Sequence, residues 1–420
     1  MSGLYGIDDA FLSLAQDAAL KAGPEWERAE DTRRHNYLKV LKAFQAAGVG
    51  DHHFAGTTGY GYGDLGREAL ESVYAEVFGT EGAIVRHQIS SGTQAVSACL
   101  FGILLPGDEL VVATGPPYDT VARVIGRSPG DVGSLREIGV RVKEVPLLPG
   151  GTPDLEAIEG AVGANTRAVL IQRSMGYSWR RALPVDEVGW IVEAVRRAND
   201  GAIIVVDNCY GEFVEKEEPG ERGCDLVCGS LIKNPGGGIA PCGGYIAGKR
   251  EYLDRVAARL TAPGQGAGIG PTLGLNRLLF QGFFMAPFVV SEAIKGAIFA
   301  SWFLETLGFD TMPRPGDRRA DSVQGILLGR PERLISFCHG IQAASPVNSM
   351  VLPEAGEMPG YGDKIVMGGG TFIQGASSEL SVDAPLREPY ACYLQGGVAW
   401  EQVALGVIMG VDRMRKDGLI

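Results

Sequence analysis

Between residues 65 and 285, short apolar runs rich in β-branched residues alternate with helical patterns. The runs include AIVRH, ELVVAT, RAVLIQ and AIIVVDN, and they are separated by segments such as TQAVSACLFGILL and DEVGWIVEAVRRA. Strands that are apolar along their whole length lie in a sheet covered on both faces, and helices between successive strands make that sheet mostly parallel. The chain is therefore predicted to have an α/β fold with a mostly parallel central sheet covered by helices.

The length of the chain favours more than one domain. It has 420 residues, and a single hydrophobic core usually stops growing at about 250–300 residues. We assign a helical arm to residues 1–64, because residues 8–22 and 26–48 have apolar positions at three- and four-residue intervals, which predicts two helices. The large α/β domain is assigned to residues 65–285.

A smaller C-terminal domain is predicted at residues 286–420. Its pattern consists of a long helix, three strand-like pieces and a last helix, which lie from Pro287 onwards, at about 323–328, 347–352 and 380–383, and near 397–415. Such a mixture is typical of an α+β domain. No low-complexity segment separates it from the large domain, so the two domains are predicted to dock on each other.

Charge and composition narrow the choice of partners. The formal net charge is −12 at pH 7, so the field of the protein repels nucleic acid and anionic membranes, and a small-molecule partner is expected. No basic region followed by an apolar one opens the sequence, and no unbroken apolar stretch reaches the ~20 residues that cross a bilayer. The seven cysteines have no disulfide spacing, and no group of side chains has metal-ligand spacing. A cytoplasmic protein without a metal is predicted.

Residues that follow the predicted strands carry most of the information about function, because ligands of open α/β sheets bind outside the carboxyl ends of the strands. Parallel strands bring these ends to one edge of the sheet. The sequence therefore predicts a single site there. Its candidate residues are Ser91, Gly92, Thr93, Gln94, Tyr118, Asp207, Asn208, Ser230 and Lys233.

Lys233 stands in the stretch SLIKNPGGG, directly before a turn with almost no side chains. A lysine amine acts as a nucleophile when its pKa is lowered, and Schiff-base formation is the usual reason for such a setting. Glycines let the main chain approach a bulky ligand closely. Lys233 is therefore predicted to form a Schiff base, with Ser230 one turn earlier sharing a phosphate. The plainer alternative is a surface lysine in a glycine-rich turn.

Three further features complete the pattern of a pocket for pyridoxal 5′-phosphate (PLP). Asp207 ends an apolar strand and is predicted to hold a pyridine nitrogen in its protonated state, so that the ring accepts electrons. The stretch from Ser91 to Gln94 opens a helix, whose free N–H groups form an anion site. Tyr118 follows two prolines and offers an aromatic face. Each feature alone is explained by a helix cap or a packed side chain, but together they indicate PLP.

Six longer stretches are similar to those of one known family. They are GYGYGDLGREALE, SSGTQAVSACLFGILLPGDEL, VVDNCYGEFVEKEEP, GSLIKNPGGGIAP, LFQGFFMAPFVVSEAIKGAIFA and ELSVDAPLREPYACYLQGG. In them the chain resembles the aluminium-resistance or methionine γ-lyase-like proteins, a family of the Cys/Met-metabolism PLP enzymes with the aspartate-aminotransferase fold (fold type I). The resemblance covers roughly residues 30–415. It implies a dimer or tetramer with shared active sites, and an intersubunit segment within residues 1–64.

The resemblance also implies roles for single residues in binding the cofactor. Lys233 would carry the Schiff base, and Asp207 would contact the pyridine nitrogen. Gly92 and Thr93 would hold the phosphate together with Ser230.

Further roles concern the ring, a neighbouring subunit and the substrate. By the resemblance, Tyr118 would stack on the PLP ring and protonate a leaving group. Tyr60 or Tyr62 would reach the phosphate bound by a neighbouring subunit, and the sequence leaves open which of the two does so. Arg387 in APLREPY is the candidate for the substrate carboxylate, because a planar guanidinium binds a carboxylate through two hydrogen bonds. A surface salt bridge is the alternative for Arg387.

The function implied is that of a PLP-dependent lyase, which removes a Cγ substituent from an L-amino acid such as methionine, homocysteine or cystathionine and gives a 2-oxo acid and ammonia. Because the early steps are shared, the sequence leaves open β-elimination from cystathionine or cysteine, γ-replacement, and γ-elimination of a halide or acyloxy group. An aminotransferase, which needs a keto-acid acceptor, and a non-catalytic PLP-binding protein also stay open.

Overall fold

Seven strands form the larger sheet of the computed structural model, which describes residues 5–128 and 130–420. In chain order, strands β1 to β7 are Gly82–Arg86, Glu109–Val112, Arg141–Glu144, Thr166–Gln172, Ile203–Asp207, Leu226–Ser230 and Gly244–Gly248. Their order across the sheet is β1-β7-β6-β5-β4-β2-β3. Strand β7 runs antiparallel to both of its neighbours, and the other pairs are parallel. The mostly parallel central sheet predicted from the sequence is confirmed.

Helices cover both faces of this sheet. In chain order, helices α1 to α10 are Asp9–Ala46, Leu65–Phe78, Gly92–Ile103, Asp119–Ile125, Leu155–Ala161, Val185–Ala198, Arg250–Leu260, Asn276–Thr306, Pro331–Ala343 and Trp400–Lys416. Side chains alternate between the two faces of a strand. In β5, Ile203 and Val205 pack with α3 and α7, while Ile204 and Val206 pack with α2, α6 and α8. The apolar runs of the sequence are thus buried on both sides.

The N-terminal arm is one continuous helix, α1, so the prediction of separate helices at 8–22 and 26–48 is wrong on this point. Pro24 lies inside α1, where a proline removes one backbone hydrogen bond. The helix continues through it because the arm is held by tertiary contacts, among them the hydrogen bond from Trp26 Nε1 to the carbonyl of Lys295 at 2.9 Å. Packing against α8 therefore outweighs the loss of one backbone hydrogen bond at Pro24.

Helix α8 connects the two parts of the protein. By length and composition it is apolar enough to cross a membrane, but 78% of its most apolar window is buried inside the protein. It begins at Asn276, earlier than the predicted start at Pro287, and it runs across the predicted boundary between residues 285 and 286. Helix α8 is a core helix, and the division of the chain into domains at 64 and 285 stays a prediction.

A second sheet of five antiparallel strands belongs to the C-terminal part. Strands β8 to β12 are Asp310–Met312, Val323–Leu327, Ile365–Gly368, Ser381–Pro385 and Ala391–Gln395, in the order β10-β11-β12-β9-β8. Residues 323–328 and 380–383 were correctly predicted as strand-like. The strand predicted at 347–352 is wrong, because Asn348 has a φ of 55° and Met350 is 95% exposed in a loop.

Candidate active site

A cavity of about 700 Å³ lies where the carboxyl ends of the parallel strands face the second sheet. One side is formed by the ends of β4, β5 and β6 and by the start of α3, and the other side by residues 367–377 with parts of β11 and β12. This is the edge at which the sequence predicts a site. Seven of the predicted residues line the cavity, namely Ser91, Gly92, Thr93, Tyr118, Asp207, Ser230 and Lys233.

Lys233 follows β6 and precedes a single helical turn, Asn234–Gly236. Its Nζ lies 3.9 Å from the centroid of the Tyr210 ring, a cation–π contact. Burial lowers the pKa of Lys233, but Cys209, Tyr210 and Asp207 outweigh burial and raise that pKa above its ordinary value. The lowered pKa expected from the sequence is therefore wrong for the chain by itself, and the amine must lose a proton before it can act as a nucleophile.

The glycines after Lys233 have a different purpose from the one expected. A Cβ on Gly236 would lie 1.7 Å from the carbonyl oxygen of Leu231, and a Cβ on Gly237 would lie 2.3 Å from that of Gly282 in α8. Both contacts are with the protein main chain rather than with the cavity. The glycines let the turn fold tightly and pack against α8, and in this way they fix the position of the Lys233 backbone.

Asp207 is the last residue of β5 and is 9% exposed. One carboxylate oxygen, Oδ1, accepts a hydrogen bond from the N–H of Cys209 at 3.1 Å. The part of the chain that the structure describes provides no ion-pair partner for it. Asp207 shares the cavity with Lys233 but forms no ion pair with it, so its carboxylate is a suitable partner for a protonated nitrogen of a ligand.

The N-terminus of α3 forms another side of the cavity. Ser91 caps the helix, since its Oγ accepts a hydrogen bond from the N–H of Gln94 at 3.1 Å. The N–H groups of Gly92 and Thr93 have no acceptor within residues 5–128 and 130–420, and both residues line the cavity together with Ser230. Free N–H groups at the positive end of a helix bind phosphate.

Gln94 does not line the cavity and acts on the loop before α3. Its Oε1 accepts hydrogen bonds from the N–H and the Oγ of Ser90 at 2.6 and 2.7 Å. Gln94 thus positions the loop before α3, and its place outside the cavity gives no support to the direct contact with a cofactor that the sequence predicts.

Tyr118 is held in place by two partners. Its N–H donates to Oε1 of Gln172 at 2.6 Å, and its hydroxyl is hydrogen-bonded to the hydroxyl of Tyr361. Burial, reinforced by Tyr361, raises the pKa of Tyr118 well above its ordinary value. The side chain is therefore a neutral phenol that has a proton to donate.

Asn208 lies behind the cavity rather than in it. It is fully buried, and its side chain bonds Nη1 of Arg173, Oε2 of Glu218 at 3.0 Å and the hydroxyl of Tyr245 at 3.3 Å. This network gives no support to the predicted contact between Asn208 and a cofactor, because the side chain is engaged behind the cavity.

Arg387 is also outside the cavity, and its position gives no support to the predicted contact with a substrate carboxylate. Its guanidinium donates to both carboxylate oxygens of Asp119 at 2.9 and 3.2 Å, to Asp363 at 3.2 Å and to the carbonyl of Tyr177 at 3.1 Å. The bidentate geometry expected of this arginine is present, but the carboxylate belongs to the protein. Arg387 connects α4 with the second sheet.

Replacing Arg387 with glutamine is expected to lower stability and to leave substrate recognition unchanged. Asp119 and Asp363 would lose their cation, which should cost about 1–2 kcal/mol in the free energy of unfolding. Urea denaturation measures this loss, and the Asp119→Asn variant with the double variant tests whether the two changes are coupled. Stability equal to wild type together with a rise in KM of about tenfold, equivalent to 1.4 kcal/mol, would return Arg387 to the substrate site.

Tyr60 and Tyr62 lie on the surface of the single chain, where they are 65% and 69% exposed and stack on each other with ring centroids 5.4 Å apart. The buried Arg67 fixes their segment through hydrogen bonds to the carbonyls of Gly61 and Gly270, both at 2.8 Å. Two exposed rings on a rigid support are available to a second copy, so the intersubunit role of these tyrosines stays a prediction.

Several residues of the cavity were missed by the sequence analysis. Tyr177 follows the end of β4, so the rule that located Asp207 and Ser230 applies to it as well. The other missed residues have no such local signal, because they come from the loop after β5, from the second sheet and from the loops beside it. They are Cys209, Tyr210, Tyr361, Asp383 and Gln395.

The polar groups that line the cavity fit the parts of PLP. The free N–H groups of Gly92 and Thr93 suit its phosphate, the unpaired carboxylate of Asp207 suits its pyridine nitrogen, and the amine of Lys233 suits its aldehyde carbon. Tyr118 adds an aromatic ring on the same side. With a mostly parallel sheet and a smaller antiparallel sheet, this arrangement is that of the PLP-dependent enzymes of fold type I.

Comparison with known proteins identifies the family. The family model described as methionine gamma-lyase matches residues 11–415. The chain belongs to this family. A crystal structure of a carbon–sulfur lyase involved in aluminium resistance from Clostridium novyi NT is 44% identical, covers 98% of both chains and superposes with a TM-score of 0.94.

Curated sequences give the same result. The uncharacterised protein YnbB of Bacillus subtilis is 45% identical over 395 residues, which is 94% of both chains. L-Methionine γ-lyase of Pseudomonas putida is 25% identical over 240 residues, which is 56% of this chain and 54% of that enzyme. The expected relation to the aluminium-resistance and methionine γ-lyase proteins is thus confirmed.

Proposed function

We propose that the protein binds PLP and removes a Cγ substituent, with sulfur as the leaving atom, from an L-amino acid of the methionine, homocysteine or cystathionine type. The observation that carries this proposal is the meeting, in one cavity, of Lys233, the unpaired carboxylate of Asp207 and the free N–H groups at the start of α3. Membership in the methionine γ-lyase family supports the reaction class.

In this proposal the chain holds the cofactor at three points. The N–H groups of Gly92 and Thr93 and the hydroxyl of Ser230 would bind the phosphate. Asp207 would bind the pyridine nitrogen, and Lys233 would bind the carbonyl carbon. All five residues line the cavity. When bound, PLP supplies a ring that accepts the negative charge formed when Cα loses a proton.

Lys233 and Tyr118 are proposed to move the protons. The amine of Lys233, in its uncharged form, would accept the proton from Cα of the substrate. Tyr118 protonates the leaving group, since its raised pKa keeps the proton on the hydroxyl. Gln172 keeps this hydroxyl in position by holding the backbone of Tyr118.

We also propose a homodimer or homotetramer located in the cytoplasm. The exposed, stacked rings of Tyr60 and Tyr62 support an intersubunit contact. The net charge of −12 and the burial of α8 support a protein that acts on small molecules away from membranes.

Mass-spectrometric detection of 2-oxo acids tests the reaction. PLP-loaded protein is incubated separately with L-methionine, L-homocysteine, L-cystathionine and L-cysteine, without a keto-acid acceptor. Release of 2-oxobutyrate is the expected result. Pyruvate instead would mean β-elimination, and amino transfer only when a keto acid is added would mean an aminotransferase. No turnover under any of these conditions would contradict the proposed activity.

A further inference from the structure

Few charged side chains line the cavity. Within residues 5–128 and 130–420 they are Lys233, Asp207 and Asp383. The proposed function uses the first two to hold PLP, and the bound phosphate would add further negative charge. Arg387 does not neutralise Asp383, because two other aspartates already engage it. Asp383 is therefore a carboxyl group that the proposed reaction leaves unexplained.

Asp383 lies in the middle of β11 and is 7% exposed. Its Oδ2 accepts hydrogen bonds from the hydroxyl of Tyr177 at 2.8 Å and from Nε2 of Gln395 at 2.6 Å. Its Oδ1 accepts none from the described residues, and no described lysine, arginine or histidine forms an ion pair with it. Burial raises the pKa of Asp383 above its ordinary value, whereas the two donors on Oδ2 and the charge of Lys233, which lines the same cavity, favour the ionised form.

An aromatic wall stands beside this carboxylate. Tyr118, Tyr177, Tyr210 and Tyr361 all line the cavity. Tyr177 stacks on Tyr361 with centroids 5.6 Å apart and meets Tyr118 edge-on at 5.2 Å, so the rings support one another as a rigid surface. The face of an aromatic ring is negative and attracts a cation, with the strongest effect where water is excluded. The aromatic rings and the carboxylate of Asp383 therefore both favour a positive charge on a ligand.

Resting on the proposed function, we propose that Asp383 and the surrounding tyrosines form a subsite for a positively charged γ-substituent, and that the preferred substrate class is an amino acid with a sulfonium group. In the proposed function Lys233 is engaged by PLP, and the charge of the substituent then takes its place as the cation that faces Asp383. A sulfonium group suits elimination, because it leaves as a neutral thioether.

The balance of the reaction can be written for S-methyl-L-methionine. The bond between Cγ and sulfur breaks, and its electron pair stays on sulfur to give dimethyl sulfide. Water supplies the oxygen of the keto group. One substrate cation and one water thus give dimethyl sulfide, 2-oxobutyrate, one ammonium ion and one proton, with no oxidation or reduction by an outside reagent.

Binding measurements test the subsite independently of turnover. PLP-loaded protein is titrated with S-methyl-L-methionine and with L-homoleucine, its uncharged carbon isostere, and the change in the visible absorption spectrum gives each Kd. The wild-type protein is expected to bind the sulfonium about tenfold more tightly or better. In Asp383→Asn the ratio of the two Kd values should fall close to one, while Asp383→Glu should keep a preference for the cation.

The outcomes separate this inference from the proposed function. Equal Kd values in the wild-type protein, or a preference that survives in Asp383→Asn, would overturn the cationic subsite even if neutral methionine is turned over. A charge preference without release of any 2-oxo acid would support the subsite and contradict the lyase reaction. The wild-type comparison stands alone, so a variant that fails to fold does not prevent a decision.

Discussion

Replacing Lys233 with alanine is expected to remove the covalent attachment of PLP and to lower kcat by about 10²–10⁴-fold or more, because the general base at Cα is lost as well. Borohydride reduction followed by peptide mass spectrometry measures the attachment. In the wild-type protein the cofactor mass should be found on the peptide that contains Lys233. In the variant this mass should be absent from all peptides.

The Lys233→Arg variant is the matched control, because it keeps a positive charge over the ring of Tyr210 but cannot form a Schiff base under these conditions. It should retain the fold and lack the covalent cofactor. A reduced cofactor adduct on another lysine in either variant, with activity near the wild-type level, would refute the assignment of Lys233.

A second large effect is expected for Asp207→Asn. This change removes the charge that holds the pyridine nitrogen protonated while it keeps the size of the side chain. The variant should still bind PLP through Lys233 and the start of α3, but kcat should fall about 10²–10³-fold, the usual cost of losing one preorganised electrostatic group. Stopped-flow measurement of Cα proton exchange in deuterated solvent shows whether the affected step is removal of that proton.

Asp225→Asn is the control for Asp207. Asp225 is also buried but lies directly before the start of β6, away from the cavity, where it pairs with Arg196 and Lys249 at 2.7 Å each. Its replacement should reduce stability and leave the rate of Cα proton exchange unchanged in the folded protein. If Asp207→Asn exchanged the Cα proton as fast as the wild-type protein, Asp207 would have no electronic role.

The part of the cavity that is formed by the larger sheet was predicted well from the sequence, for a physical reason. Asp207, Ser230 and Lys233 follow apolar strands, and parallel strands must bring their carboxyl ends to the same edge. The sheet itself is encoded by runs of β-branched residues that leave little choice of pairing partner or face. Local pattern and overall topology therefore give the same answer in this half of the molecule.

The part of the cavity that is formed by the smaller sheet could not be predicted in this way. Asp383 lies in β11, whose neighbouring strands are close in sequence, but its partner Tyr177 is 206 residues away, and no local pattern indicates that Asp383 faces the cavity. Arg387 shows the same limit from the other side: its motif suggested a free guanidinium, but its partner Asp119 is 268 residues away. Two helices were predicted at 8–22 and 26–48 instead of one, because the packing of α1 on α8 is not visible in a local window.

The two sheets divide the cavity between them, and this division separates chemistry from choice of substrate. The groups proposed to hold PLP start from the larger sheet, whereas Asp383 and Gln395 belong to the smaller one. Substitutions in β11 or β12 can alter which side chain is admitted while the strand ends that support the cofactor keep their positions. Within this architecture, new substrate preferences can evolve, or be engineered, by changing cavity residues of the smaller sheet while those of the larger sheet are kept.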